Sequence, residues 1–180
     1  ADDAAALWLR RDGACGPLAR SRGYRFVPGG TRAVAPLGGR AASDSTLRAP
    51  MRVEFEHACA SSPWNAHARA LAGNLALLEG RFADARNQFA EAVRLEPLDP
   101  GLHERLGLAQ YYAGDPPAAL ASFRIERRLR PAWAESDLRE AQALAAMGER
   151  AAARAAYERS LRRHPELTEA GDSLAALPAR

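Results

Sequence analysis

The sequence predicts an all-α protein built from stacked antiparallel helix hairpins. Three observations predict it: landmark residues recur every 34 positions, apolar residues within each period follow helical spacing, and glycine or proline separates the helices. The landmarks are Gly80, Gly114 and Gly148; Ala85, Ala119 and Ala153; Phe89, Phe123 and Tyr157; and Pro97, Pro131 and Pro165. Small, aromatic and proline landmarks at a period of about 34 are typical of helix–turn–helix arrays.

Each period divides into two helices at its glycine. In the first unit, leucines at helical spacing precede Gly80. After this glycine, Ala85 and Phe89 lie on one face of the second helix. A glycine after the last periodic residue ends a helix, and a proline beyond the second helix prevents its continuation. The predicted units are 66–99, 100–133 and 134–167.

Part of a fourth unit precedes these three. Pro63 lies 34 residues before Pro97, and Phe55 lies 34 residues before Phe89. Residues 50–65 are therefore predicted to keep the second helix of a degraded unit. Its first helix is not expected, because glycine and proline interrupt the sequence where the period would place it.

The two ends of the chain are predicted to be atypical. Residues 1–49 are rich in Arg, Gly and Pro, and we expect an irregular extension with one short helix at 4–11. Residues 167–177 are predicted to form a capping helix, because the terminal unit of an array needs a different outer face. The domain division is thus an extension over 1–49 and a repeat array over 50–177.

The pattern resembles the tetratricopeptide repeat family over residues 50–177. The glycine, alanine, aromatic and proline landmarks fall at that family's positions, as does the small residue of each first helix (Gly73, Gly107 and Ala141). The departures are Arg69, His103 and Asp137 in place of a large aromatic residue, and Glu126 in place of a small one. The resemblance implies a right-handed superhelix whose concave groove, lined by the first helices, binds another polypeptide.

The resemblance also places particular side chains in that groove. They are Asn74, Leu77, Leu78, Leu108, Tyr111, Tyr112, Leu138, Gln142 and Ala145, with Trp133 at the end of the second unit. The two tyrosines are the strongest candidates for partner contact, because aromatic rings with a polar tip anchor interfaces. The alternatives are that one tyrosine packs inside while the other is simply exposed, and that Trp133 packs between units.

One subgroup of the family grips a C-terminal carboxylate with lysine, asparagine and arginine side chains at fixed positions. Asn74 and Arg139 match that set, whereas Ala70 and Glu135 replace two of its lysines. A glutamate facing the carboxylate of a ligand repels it. The sequence therefore argues against recognition of chaperone tails by such a clamp.

Charge and composition exclude several classes of protein. The chain is 47% apolar and 26% charged, which suits a folded protein, and no apolar run approaches the roughly 20 residues that span a bilayer. Every basic side chain is arginine. Residues 1–50 hold eight Arg and four Asp, whereas the remaining residues hold 17 Arg against 18 Asp or Glu. Because the repeats are nearly neutral, we expect no nucleic-acid partner.

The sequence predicts neither a catalytic site nor a bound metal or cofactor. Its four histidines lack the spacing of metal ligands, and it contains no phosphate loop or nucleophile elbow. Cys15 lies in a turn-like sequence that would expose a thiol, but no general base is near it in the chain. A non-enzymatic protein is therefore expected, and a thiol enzyme using Cys15 is a lower alternative.

These observations favour a scaffold or adaptor of the bacterial cell envelope that docks a protein or peptide in its groove. The start Ala1-Asp2-Asp3, which lacks an initiator Met, suits a mature exported protein or a piece of a longer one. Membership of a larger membrane-associated complex fits this location. A soluble tail of a polytopic envelope glycan ligase or polymerase is the main alternative, and a cytoplasmic location stays open. The oligomeric state is not predicted.

An exported chain with two cysteines, Cys15 and Cys59, is expected to join them in a disulfide. Forming the bond removes two hydrogens, so the protein purified without reductant should gain about 2 Da on reduction. Mass spectrometry of the intact chain measures the difference. Equal masses would show two thiols, which is the state that a cytoplasmic location predicts.

Overall fold

The computed structural model describes residues 34–178, with side chains from residue 38 onward. This part of the chain contains nine α-helices, one short 3₁₀ helix at Ser45–Leu47, and no strand. The α-helices are α1 (Val34–Ser43), α2 (Arg48–Ser61), α3 (Ala66–Leu78), α4 (Phe82–Leu95), α5 (Leu102–Tyr112), α6 (Pro116–Leu129), α7 (Ser136–Ala146), α8 (Arg150–Arg163) and α9 (Thr168–Ala176). No helix among them has the length and apolar content needed to cross a bilayer.

Helices α3 to α8 form the three predicted hairpins, α3/α4, α5/α6 and α7/α8. Each outer helix also packs on the inner helix of the next hairpin, which makes a continuous stack. The turns within the hairpins contain Gly80, Gly114 and Gly148, all with φ between +72° and +85°. Glycine adopts this left-handed conformation without steric cost, and this explains its recurrence. The prediction of an all-α solenoid is confirmed.

Small residues in the inner helices make room for the aromatic rings of the outer helices. A Cβ atom added to Gly73 would lie 2.8 Å from the Phe89 ring, and one added to Gly107 would lie 2.5 Å from the Phe123 ring. Both rings are buried, and Phe89 belongs to the same core cluster as Leu102 of the next hairpin. The ring therefore fills the space between its own hairpin and the following one.

The N-terminal end of the described chain differs from the predicted irregular extension. Residues 34–43 are helical and occupy the place where the period puts the missing first helix of the partial unit. Ala41 is 2% exposed and shares a core cluster with Phe55 and Leu71, and its carbonyl accepts a hydrogen bond of 2.8 Å from Arg48 Nε. Tertiary burial therefore outweighs the weak helix propensity of the glycines. The helix predicted at 4–11 lies outside the described residues.

Helix α9 lies where the capping helix is predicted, over 167–177. Ala170 is fully buried in the core cluster of the last described hairpin, and Leu174 and Leu177 pack against that cluster. Helix α9 therefore covers apolar surface of that hairpin.

Glu126 of α6 is fully buried at a position where the other two units have Ala92 and Ser160. Its carboxylate accepts hydrogen bonds from the backbone N–H of Gly101 at 2.9 Å and of Glu104 at 3.2 Å. These amides lie at the start of α5. The N-cap residue there is a glycine, so it has no side chain that could accept a hydrogen bond from the first turn of the helix. Glu126 therefore caps the inner helix of its hairpin from the outer helix, and Arg130 donates to the same carboxylate.

Asp137 and Glu140 of α7 are buried, with exposed fractions of 1% and 5%, and four arginines surround them. We call these arginines, Arg124 and Arg127 of α6 with Arg159 and Arg163 of α8, the arginine cluster. Arg159 Nε donates to Asp137 at 2.7 Å. Burial by itself raises the pKa of Asp137, but hydrogen bonds from Arg159 and Arg163 outweigh it and hold the pKa below its ordinary value. Ion pairs thus join α7 to both outer helices where an aromatic residue was expected.

Replacing Glu126 with Ala should lower the free energy of unfolding by about 2–4 kcal/mol, because two backbone amides and Arg130 lose a buried acceptor. Chemical denaturation followed by circular dichroism measures this change. The control is Glu91→Ala, since that carboxylate pairs with Arg94 on the exposed side of α4. The control should cost less than about 0.5 kcal/mol. Equal stabilities of the two variants would show that the cap contributes nothing.

Asp137 should make the protein sensitive to acid. Because its pKa in the folded state lies below the ordinary value of 3.8, its stabilisation is present above that value and is lost as pH falls through the folded-state pKa. Between about pH 4 and pH 2, the unfolding free energy of the wild type should fall more steeply than that of Asp137→Asn.

Denaturation at a series of pH values measures these slopes. Asp84→Asn is the matched control, because Asp84 is exposed and pairs with Arg81, and it should keep the wild-type slope. Parallel profiles for the wild type and Asp137→Asn would contradict the role given to the buried carboxylate.

Candidate functional site

The inner helices α3, α5 and α7 carry partly exposed side chains at positions that repeat along the array, and we call this set the groove. Helices α3 and α5 contact each other directly, so their exposed faces adjoin. The groove side chains are Asn74, Leu77, Leu78, Leu108, Tyr111, Tyr112, Arg139, Gln142 and Ala145. Leu77, Leu108 and Ala145 are half-buried and pack against the core clusters.

Three aromatic rings meet where α5 ends. The Phe82 and Tyr112 rings are stacked, with centroids 5.2 Å apart and an angle of 26° between their planes. The Tyr111 ring meets Tyr112 edge-on, with centroids 5.5 Å apart and an angle of 82°. Such pairs hold rings in place beyond their simple burial. We call these three residues and Leu78, whose side chain is 41% exposed, the aromatic edge.

The two tyrosines differ in how far they are buried. Tyr111 is half-buried and packs against the core cluster of the last two hairpins, whereas Tyr112 is 54% exposed. One tyrosine thus supports the other. A partner that approaches the groove meets the Tyr112 ring, already oriented by its two aromatic neighbours.

Sequence reasoning missed Phe82 as a groove-side residue. It begins α4, where the corresponding residues of the other outer helices are Pro116 and Arg150. A large aromatic residue at a position that is polar or proline in the other units departs from the repeat. This departure is the signal that the sequence offered for Phe82. The aromatic residue that α4 contributes to the core is Phe89, so Phe82 is an additional one.

Leu138 does not lie on the groove, contrary to the prediction. It is 1% exposed and belongs to the core cluster that includes Leu120 and Phe123 of α6. Residue 138 lies only about 40° around the helix axis from Gln142, so it has the spacing of a groove residue, but its side chain packs into the core with residues of α6. The preceding outer helix therefore covers the leucine.

The C-terminal end of the groove is occupied by internal polar contacts. Gln142 Nε2 donates to Glu169 of α9 at 2.7 Å, and Gln142 Oε1 accepts from Arg139 at 3.0 Å. Of the other positions relevant to a carboxylate clamp, Ala70 is buried and Glu135 is the N-cap residue of α7. The structure therefore offers only part of such a clamp, with its arginine already engaged.

Trp133 lies beside the junction between the second and third units. The Arg130 guanidinium carbon is 4.3 Å from the centroid of the Trp133 ring, and Arg130 also pairs with Glu104 at 2.9 Å. A cation held over a ring in this way is a packing interaction. Both contacts lie within the second unit, and a role of Trp133 in partner contact stays a prediction.

Burial shifts the pKa of two further side chains, Cys59 in α2 and His67 in α3. Burial raises the pKa of the half-buried Cys59 thiol, with a smaller contribution from Glu56, and this disfavours the reactive thiolate. Cys15 lies outside the described residues, so its pairing with Cys59 stays a prediction. Burial also lowers the pKa of His67 in α3. In the described part of the chain, no three His, Cys, Asp or Glu side chains come together as metal ligands.

The fold is similar to several solved structures. A crystal structure of MamA matches with a TM-score of 0.69 at 20% identity, covering 76% of this chain and 80% of that one. YrrB, described as a tetratricopeptide repeat protein with an unusual peptide-binding site, matches with a TM-score of 0.68 at 16% identity, covering 92% and 82%. The chain therefore has the fold of these repeat proteins. The hairpin arrangement agrees with the repeat pattern of the sequence.

Two further comparisons concern chaperone-associated proteins. The chain is similar to the first tetratricopeptide repeat domain of Spaghetti (RPAP3) bound to the HSP90 peptide SRMEEVD, with a TM-score of 0.59 at 20% identity, covering 62% of this chain and 89% of that one. It is also 32% identical over 115 residues to the Hsp70-Hsp90 organizing protein of Triticum aestivum. That match covers 60% of this chain but only 20% of the plant protein. No family model matches the chain.

Proposed function

We propose that this protein is a non-catalytic interaction scaffold that docks a segment of a partner polypeptide in the groove, with the aromatic edge as its anchor. The observation that carries the proposal is the exposed ring of Tyr112, oriented by Phe82 and Tyr111, with an exposed Leu78 at the corresponding position of α3. Clustered apolar groups on a surface mark interaction sites. The peptide bound to the similar Spaghetti domain and the peptide-binding site described for YrrB support this use of the fold.

The partner segment is expected to contribute an apolar or aromatic side chain, because the aromatic edge offers ring faces and one leucine. A terminal carboxylate is not the expected anchor. Arg139 already pairs within the protein, and Glu135 stands where a lysine would be needed. This chain therefore does not have the full set of residues that would bind the terminal carboxylate of a chaperone tail.

We place this scaffold in the bacterial cell envelope, as a subunit of a larger membrane-associated complex. Detection of a disulfide between Cys15 and Cys59 by mass measurement would support that location, because such bonds persist in oxidising compartments. The hydropathy of the complete gene product distinguishes this proposal from the alternative that the chain is the soluble tail of a polytopic glycan ligase or polymerase. A single cleavable signal before the repeats favours the scaffold, and many spanning segments overturn it.

The double variant Tyr111→Ala/Tyr112→Ala should lose the partners that the full chain retains in a pull-down from its native host. Tyr112→Ala alone should weaken capture strongly, and it disturbs the core less because the side chain is mostly exposed. Both variants should keep the helical circular dichroism of the wild type. Quantitative mass spectrometry of the captured proteins measures the loss.

The matched control is Val53→Ala/Leu98→Ala, which removes two apolar side chains that are 67% and 74% exposed and lie outside the groove. The control should capture the same partners as the wild type. If partner binding survives the tyrosine substitutions, or if the control loses the same proteins, the groove is not the docking site.

A further inference from the structure

The arginine cluster lies on the side of α7 opposite the groove. Successive residues of a helix are about 100° apart, which puts residues 137 and 140 roughly 160° from the mean direction of 139 and 142. Asp137 and Glu140 are accordingly covered by the outer helices α6 and α8, whereas Arg139 and Gln142 face the groove. The cluster therefore belongs to a different surface of the protein.

The guanidinium groups of the cluster are fixed by the two carboxylates beneath them, yet they remain accessible. Their side chains are between 34% and 46% exposed. Each guanidinium has five N–H donors, and the contacts to Asp137 and Glu140 leave several of them unused. Arg124, for example, donates to Glu140 only through Nε, at 3.0 Å. Two buried negative charges also leave two of the four positive charges unbalanced.

The positive charge is concentrated on two outer helices. Helix α6 contains three Arg and one Glu, the buried Glu126, and α8 contains five Arg and one Glu. Helix α4, the outer helix of the first hairpin, is balanced with two Arg and two acidic residues. The near-neutral repeat array is therefore divided into a basic outer surface on its last two hairpins and a more acidic remainder.

We propose that this basic surface binds an acidic segment of a partner polypeptide. Asp137 and Glu140 are three residues apart, a spacing of about 5–6 Å between Cβ atoms, so the four guanidiniums that converge on them form a compact group. Such a group matches a few neighbouring carboxylates, which arginine binds through paired N–H donors. A nucleic acid would need a basic stripe that continues along the stack, but α4 is neutral. The proposal is independent of the groove.

The test is the binding of a fluorescein-labelled dodecapeptide of alternating Glu and Ser to the full chain, followed by fluorescence anisotropy at low salt. The triple variant Arg124→Gln/Arg128→Gln/Arg162→Gln removes exposed charge and leaves three arginines on the buried carboxylates. It should weaken binding on the order of tenfold, and 0.5 M NaCl should abolish binding to the wild type.

Two control variants locate the effect. Arg86→Gln/Arg94→Gln on α4 also removes positive charge from an outer helix, and its affinity should stay within about twofold of the wild type. Tyr111→Ala/Tyr112→Ala should keep the wild-type affinity, which separates this surface from the groove. The triple variant should retain the wild-type unfolding midpoint, so that a loss of binding does not reflect a loss of structure.

Three results would overturn the proposal. The first is equal affinity of the triple variant and the α4 control. The second is equal binding of a Lys/Ser dodecapeptide, which would show that charge is not recognised. The third is tighter binding of a duplex DNA oligonucleotide or of phosphatidylglycerol vesicles than of the Glu/Ser peptide, because that result would assign the surface to another class of partner.

Discussion

The structure depends on the fit between an aromatic ring of each outer helix and a minimal side chain on the inner helix of the same hairpin. Gly107 has no room for even a methyl group against the Phe123 ring, and Gly73 stands in the same relation to Phe89. Close-packed interiors do not tolerate such added volume without a shift of the helices. The distance between the inner and outer helices of the first two hairpins follows from this contact.

Charged groups take over where the apolar repeat pattern is interrupted. Glu126 replaces a small residue and caps α5, and Asp137 replaces an aromatic residue and binds arginines from both neighbouring helices. Buried carboxylates are tolerated only when their partners are in place, because an unpaired buried charge is strongly destabilising. Glu126 joins the two helices of the second hairpin, and the bonds of Asp137 and Glu140 to arginines of α6 join the second hairpin to the third.

The period was sufficient to predict the three hairpins and the helix that follows them, because each follows from local spacing along the chain. It was insufficient for features that depend on burial by distant residues. The glycines of residues 34–43 looked like helix breakers, yet contacts of Ala41 with α2 and α3 favour a helix there. Leu138 has the spacing of a groove residue, but α6 covers it. The near-zero net charge of the repeats likewise did not indicate that α6 and α8 have an excess of arginine.

Helix α7 connects the two proposed surfaces. Its groove side carries Arg139 and Gln142, which are tied to α9, and its opposite side carries Asp137 and Glu140, which hold the arginine cluster. An α-helix with its side chains is about 10 Å across, so the two surfaces lie close together without overlapping. A partner segment in the groove and an acidic segment on the cluster would therefore not compete for the same atoms. A scaffold of this size thus has room to hold two chains at once, on opposite sides of one helix.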